Sequence, residues 1–147
     1  MTDKPTFVYV TYVESTPEKL WHALTDADLT GQWWGHSNVS DWEVGSTWEH
    51  RRTDGSGIVD GVGTVLESLP PKRLVMTFPT DGPSELTFEI ESYGEIVRLT
   101  LTHGNLAGQG DYDVVAYVWP AVLANLKSLL ETGHVLPQAP LSMPAAT

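Results

Sequence analysis

The sequence predicts an α+β domain: six antiparallel strands, two short helices between the first strand and the other five, and one long C-terminal helix. Three observations carry this. The hydrophobic pattern has a period of two over residues 6–13 and again over most of 46–103, but a period of three to four from Val115 onward, so strands give way to one long helix. Turn residues cut the middle of the chain into short pieces: Gly45, the run Asp54-Gly55-Ser56-Gly57, Pro70-Pro71 and Asp81-Gly82-Pro83. At 147 residues and 41% hydrophobic, the chain is sized for a single core.

The elements follow in order. Residues 6–13 (TFVYVTYV) are β-branched and aromatic, with Phe7, Tyr9, Thr11 and Val13 on one face and Val8, Val10 and Tyr12 on the other. Thr16-Pro17-Glu18 supplies an N-cap hydroxyl, a proline for the first helical turn and an acid near the positive end of the dipole, so a short helix is predicted over 17–25. Asp26 caps a second short helix that runs into Trp33-Trp34 and stops at Gly35. Strands are then expected at 46–52, 58–68, 73–78, 84–92 and 96–103. In the last of these Val97, Leu99 and Leu101 share a face, which by parity continues to His103. Val115, Val118, Trp119, Val122, Leu123, Leu126, Leu129 and Leu130 form the stripe of the long helix, which Pro120 should bend near 116–120 and Gly133 should cap. The single domain is placed at 6–133, with 1–5 and 134–147 expected to be mobile termini.

Charge and composition remove several function classes. Eight Lys plus Arg against nineteen Asp plus Glu give a formal charge of −11, which repels nucleic acid and anionic membrane surfaces. No apolar run approaches the roughly 18 residues of a bilayer span. The absence of cysteine and of a leader-like N-terminus predicts a cytoplasmic protein without disulfides.

A set of segments then carries a resemblance: Ser15-Thr16-Pro17-Glu18-Lys19-Leu20-Trp21, Ala23-Leu24-Thr25-Asp26, Gln32-Trp33-Trp34-Gly35, Ser40-Asp41-Trp42, Val44-Gly45-Ser46, Pro70-Pro71-Lys72-Arg73-Leu74, and Trp119-Pro120 followed by the stretch 126–133. In order and spacing, over about residues 7–133, the chain resembles the bacterial activator of Hsp90 ATPase homologue 1-like family of the START-like (SRPBCC) superfamily. The resemblance implies the helix-grip, Bet v 1-like fold, in which a curved antiparallel sheet wraps around the last helix and leaves a cavity between them. It implies fold more than function, because that superfamily places carriers, cyclases, receptors and chaperone partners on one scaffold.

Individual residues admit both functional and plainer structural roles. The five histidines (His22, His36, His50, His103, His134) have no metal-ligand spacing, and no metal or cofactor is implied. His50 shares a strand face with Trp48, as His103 does with Leu101, so both histidines are candidates to line a cavity, the alternative being hydrogen-bonded histidines at a barrel rim. Trp21, Trp42 and Trp119 are explained as packing. Adjacent Trp33 and Trp34 should not face the same way, which predicts one indole at the cavity mouth or in solvent. Tyr112, Tyr117 and Asn125 are polar lining candidates, and Tyr117 and Trp119 flank the expected bend. Glu85, Glu89, Glu91 and Glu95 with Asp81 read as a solvated strand face. No cysteine, nucleophile elbow or phosphate loop supports covalent or nucleotide chemistry.

These readings predict a small-molecule binding protein for an apolar or aromatic ligand, with Trp33, Trp34, Trp48, His50, His103, Tyr112, Tyr117 and Trp119 as the ligand-binding set. The alternatives are a cofactor-independent cyclase or hydratase, and a protein-interaction module like the Hsp90 activator. Association into a homodimer stays open.

Overall fold

A computed structural model describes residues 4–79 and 83–137 of the chain. Strand β1 (Phe7–Val13) is followed by helices α1 (Pro17–Thr25) and α2 (Ala27–Trp33) and by strand β2 (His36–Val39). Strands β3 (Thr47–Arg52), β4 (Val59–Leu69), β5 (Arg73–Phe78), β6 (Ser84–Tyr93) and β7 (Ile96–Gly104) form a meander, and helix α3 (Gln109–Thr132) follows. All strands join one antiparallel sheet in the order β1-β7-β6-β5-β4-β3-β2, the architecture of the helix-grip fold.

The sheet has seven strands, not the six expected. The extra strand, β2, carries the sequence His-Ser-Asn-Val, too short and too polar to show a period of two. It forms because its partner and its helix fix it: Asn38 lies opposite His50 in the β3 register, and the Asn38 amide donates to Thr30 Oγ1 of α2 at 2.9 Å.

Both short helices begin at the caps that the sequence contains. Thr16 Oγ1 accepts from the Lys19 amide, and Asp26 Oδ2 accepts from the Leu29 amide at 3.0 Å. Each satisfies one backbone donor that a helix start leaves free. α3 continues unbroken through Pro120, whose missing N–H removes one rung of the ladder without ending the helix. It ends at Gly133, which takes φ 87° and closes on the Leu129 carbonyl at 2.9 Å.

The core lies between the inner sheet face and α3. Val115, Trp119, Val122, Leu123, Leu126 and Leu129 of the helix join Leu74, Met76, Leu86, Phe88, Leu99 and Leu101 of the sheet in one buried cluster. By length and composition α3 would pass for a membrane span, but its stripe of buried residues belongs to this cluster. The outer face is polar where the acidic stretch predicted it, with Arg73 bridging Glu67 and Glu89, and Arg98 paired with Glu91. Asp81 lies outside the described residues.

Residues 134–136, expected to belong to a mobile C-terminus, are held against the domain. Val135 packs against the core, the Leu136 amide donates to Asn125 Oδ1 at 2.7 Å, and Ser128 Oγ donates to the His134 carbonyl at 2.9 Å. The remainder of that tail, and residues 1–3, lie outside the described residues. Asn125 is the cause of the difference: it sits on the buried face of α3, 2% exposed, and its amide must be satisfied there. Its Nδ2 donates to the Trp33 carbonyl at 3.3 Å while its Oδ1 holds Leu136, so one side chain latches the end of α2 to the segment after α3. Asn125→Leu is expected to lower the unfolding free energy by about 1–3 kcal/mol through the two partners left unmet. An unchanged urea midpoint would show that the latch contributes nothing.

Candidate functional site

Most of the residues singled out by the sequence are buried between the sheet and the helices. Trp33 and Trp34 come from α2, whose last turn ends at Trp34 before Gly35 reverses the chain at φ 91°. Contrary to expectation, neither indole faces solvent: Trp33 is 0% and Trp34 5% exposed. Nor do the two face apart: their rings stack at 5.2 Å and 27°, a pair covered by α1 on one side and α3 on the other. Trp33 lies under α1, its Nε1 donating to the Ala23 carbonyl at 2.8 Å. Trp34 enters the interior, 5.0 Å from the Trp119 ring and stacked parallel to Phe78 at 6.0 Å, 4°.

Trp48 and His50 point inward together, as the period of two requires. The Trp48 indole lies across Gly63, its register partner on β4, and donates to the Thr77 carbonyl of β5 at 2.9 Å. Phe78, at the end of β5, links the two histidines, with ring centroids 5.6 Å from His50 and 5.4 Å from His103. It is only partly buried. The sequence reading did not select it, although its parity with Leu74 and Met76 on β5 carried the signal.

His103 is fully buried and bonded through both ring nitrogens. Trp119 Nε1, which can only donate, gives its hydrogen to His103 Nδ1 at 3.0 Å. The ring proton therefore resides on Nε2, which donates to Ser84 Oγ at 2.7 Å. This orientation is the reverse of the one that activates a serine, because the imidazole presents Ser84 with a proton instead of a lone pair. Burial pushes the His103 pKa down to about 4. The ring is thus neutral, and the bonded serine and histidine position each other.

His50 differs. Its Nδ1 meets Asn38 Oδ1 at 2.6 Å, so Nδ1 carries the proton and Nε2 the lone pair. Burial first, and then the charge of His36, push its pKa down to about 3, with Asp60 opposing. His36 stacks on it at 3.9 Å and 10°, and bonds through Nε2 to Asp60 at 2.8 Å. The bond from His36, together with the Arg52 guanidinium, holds the Asp60 carboxyl below the usual carboxylate range. A polar pocket of about 240 Å³ opens here, lined by Gly35, His36, Arg52, Thr53, Asp54 and Asp60. His36 and Asn38 were missed because they belong to the strand that the sequence pattern did not reveal.

Of the predicted set, the structure gathers Trp33, Trp34, Trp48, His50, His103 and Trp119. Tyr112 lies apart, its ring edge-on to Phe7 at 6.0 Å, and Tyr117 is 39% exposed on α3. Asn125 serves the latch described above. Among the described residues no three His, Asp or Glu side chains gather to hold a metal ion. Two larger pockets lie outside the interior, one of about 450 Å³ beside Trp21 and Trp42 and one of about 440 Å³ beside Leu29 and Leu129.

The depressed histidines make stability depend on pH. Each has a folded pKa below its unfolded value near 6.5, so the unfolded chain takes up protons that the fold refuses. Their cost is absent above about pH 6.5 and grows as pH falls toward about 4 for His103 and about 3 for His50. Urea unfolding should show stability falling by roughly 1–3 kcal/mol between about pH 6.5 and 5, before most carboxylates titrate. A flat profile over that window would contradict the buried, neutral state of both rings.

Comparison with known proteins places this geometry. A search of curated proteins finds no match to the chain. Among solved structures, a Bordetella parapertussis protein studied by NMR is 28% identical with a TM-score of 0.75, the alignment covering 94% of this chain and 80% of that one. The solution structure of the Aha1 dimer from Colwellia psychrerythraea is 25% identical with a TM-score of 0.73, covering 88% of this chain and 98% of that one. A Staphylococcus saprophyticus crystal structure, 20% identical with a TM-score of 0.76 over 92% of this chain and 98% of that one, shares the fold. The family model described as "Activator of Hsp90 ATPase homolog 1-like protein" matches residues 14–131, from the end of β1 to the last turn of α3, and the chain belongs to that family.

Proposed function

We propose that the protein holds an apolar or aromatic small molecule between the sheet and α3, against Trp34, Trp48, Phe78, His103 and Trp119, with His50 at one end. The observation that supports this reading is the pair of neutral histidines set into a wall of aromatic rings. A core that only has to be full is made from aliphatic side chains, because each buried imidazole gives up hydration. A few fixed polar groups in an apolar surround are the ordinary furnishing of a small-molecule site. Phe78 is the ring whose movement would make room, since it touches both histidines and is only partly buried.

The catalytic alternative has less support. A cyclase or hydratase needs a group that exchanges a proton near neutral pH, whereas His50 and His103 are held at about 3 and 4, and Ser84 faces an N–H. Self-association belongs to the same proposal and is supported by the exposed stripe Val8, Val10 and Tyr12 on the outer face of β1. A monomer mass by light scattering at high protein concentration would remove it.

Native mass spectrometry of freshly purified protein, with titration of naphthalene against tryptophan emission, tests the binding reading. Bound ligand should quench or shift the emission and raise the melting temperature, because it binds only the folded state. Phe78→Ala should strengthen the response. No co-purifying mass, no emission change and no thermal shift would together rule out binding.

A further inference from the structure

We propose that Asn38, held in place by His50, is the polar subsite of this interior and selects an uncharged ring compound carrying a carbonyl acceptor, such as a ring amide. The inference rests on the binding reading above and narrows it to a ligand class.

The two residues lie directly opposite each other in the β2–β3 register, and their 2.6 Å bond uses one polar atom of each side chain. Two polar atoms remain. Asn38 Nδ2, on a side chain that is 0% exposed, is buried with no hydrogen-bond partner. An amide left in that state is costly, and folded proteins keep few of them. His50 Nε2 carries a lone pair. The two nitrogens of an imidazole point in divergent directions, so Nε2 faces away from Asn38, and what the pair offers a ligand is the Asn38 Nδ2 donor, the complement of a carbonyl.

Both side chains are held in place before any ligand arrives. The Asn38 backbone is fixed by Thr30 Oγ1, and the His50 ring is clamped by the stacked His36 and by the edges of Trp34 and Trp48. Pre-ordered groups of this kind lose little freedom on binding. His103, by contrast, has both nitrogens engaged and adds no polar selectivity at its end of the interior.

Charge decides between ligand classes. Arg52 is the cation beside this end, and its Nε is already bonded to both oxygens of Asp60. A carboxylate entering the interior would meet neutral imidazoles and an amide, and would lose its hydration without a counter-charge. A neutral carbonyl meets the Asn38 donor.

The test compares 2-quinolone, naphthalene and 2-naphthoate by calorimetric titration of the full chain. 2-Quinolone should bind about tenfold more tightly than naphthalene, the effect of about 1.4 kcal/mol, and 2-naphthoate most weakly. Asn38→Asp keeps the acceptor for His50 but has no N–H, so it should abolish the quinolone preference while naphthalene binding persists. Equal affinities for the two neutral probes, or a preference that survives in Asn38→Asp, would overturn the subsite and leave the binding reading intact. No binding of any probe would overturn both.

Nitrogen-15 spectra of the unmodified protein provide an arm that needs no variant. They should show His50 protonated at Nδ1 and bare at Nε2, with the Asn38 side-chain amide signal moving on addition of 2-quinolone but not of naphthalene. The opposite tautomer, or a buried water that stays on the Asn38 amide when 2-quinolone is present, would overturn the subsite.

Discussion

Leu126→Ala is expected to lower the unfolding free energy by about 2–5 kcal/mol. Leu126 is 0% exposed, on the stripe that α3 turns toward the sheet. Removing its branched end deletes apolar contact and leaves a void that the surroundings close only in part. Closure is hindered because the latch through Asn125 fixes the neighbouring Trp33 backbone and the segment after α3. Urea denaturation followed by far-UV circular dichroism measures the loss. Val114→Ala on the same helix, at a position 61% exposed, provides the control and should change stability by less than about 0.5 kcal/mol. A Leu126→Ala protein that melts like the parent would mean that the sheet does not grip this helix.

Gly63→Ala should cost about 3 kcal/mol, for a different reason. A Cβ at this position would collide with the Thr77 carbonyl oxygen and with Trp48 Nε1, the two ends of one hydrogen bond. The obstacle is partly backbone, so a rotamer change cannot relieve it. Either the Trp48 indole lifts away and its N–H loses its acceptor, or β4 and β5 separate locally. The near-UV signal of Trp48 should change together with stability. A variant of parental stability and unchanged near-UV spectrum would show that the indole does not lie across Gly63.

Most of the framework was legible because it depends on local chemistry. Thr16-Pro17 and Asp26 cap helices by side-chain bonds within three residues. The alternation that placed His103 beside Leu101 and His50 beside Trp48 is a property of any extended strand. What escaped depends on partners distant in sequence. β2 has no pattern of its own and exists through Thr30 and the β3 register. The burial of both Trp33 and Trp34 requires α1 on one side and α3 on the other, which spacing along α2 alone does not reveal. Similarly, Asn125 reads as a cavity-lining polar group until Leu136 is seen to return to it. The histidines were found by parity, but which was saturated and which kept an open nitrogen depended on Trp119, Ser84 and Asn38, reached through the fold.

The place of β1 in the sheet has a consequence for how the protein is made. Its neighbour is β7, with Phe7 opposite His103 and Val13 opposite Val97, and the carbonyl of Tyr12 and the amide of Glu14 are met by Lys127 and Glu131. Every one of those partners is translated late. A ribosome emitting the chain at about 5–20 residues per second leaves the first strand without its mate for several seconds, with Val8, Val10 and Tyr12 on one side of it and Phe7 and Val13 on the other all uncovered. The interval is a window for capture by a chaperone or for pairing with the same strand of another nascent chain. Ribosome-bound truncations ending before β7 should therefore be protease-sensitive throughout β1, and protection should appear only once α3 has cleared the exit tunnel.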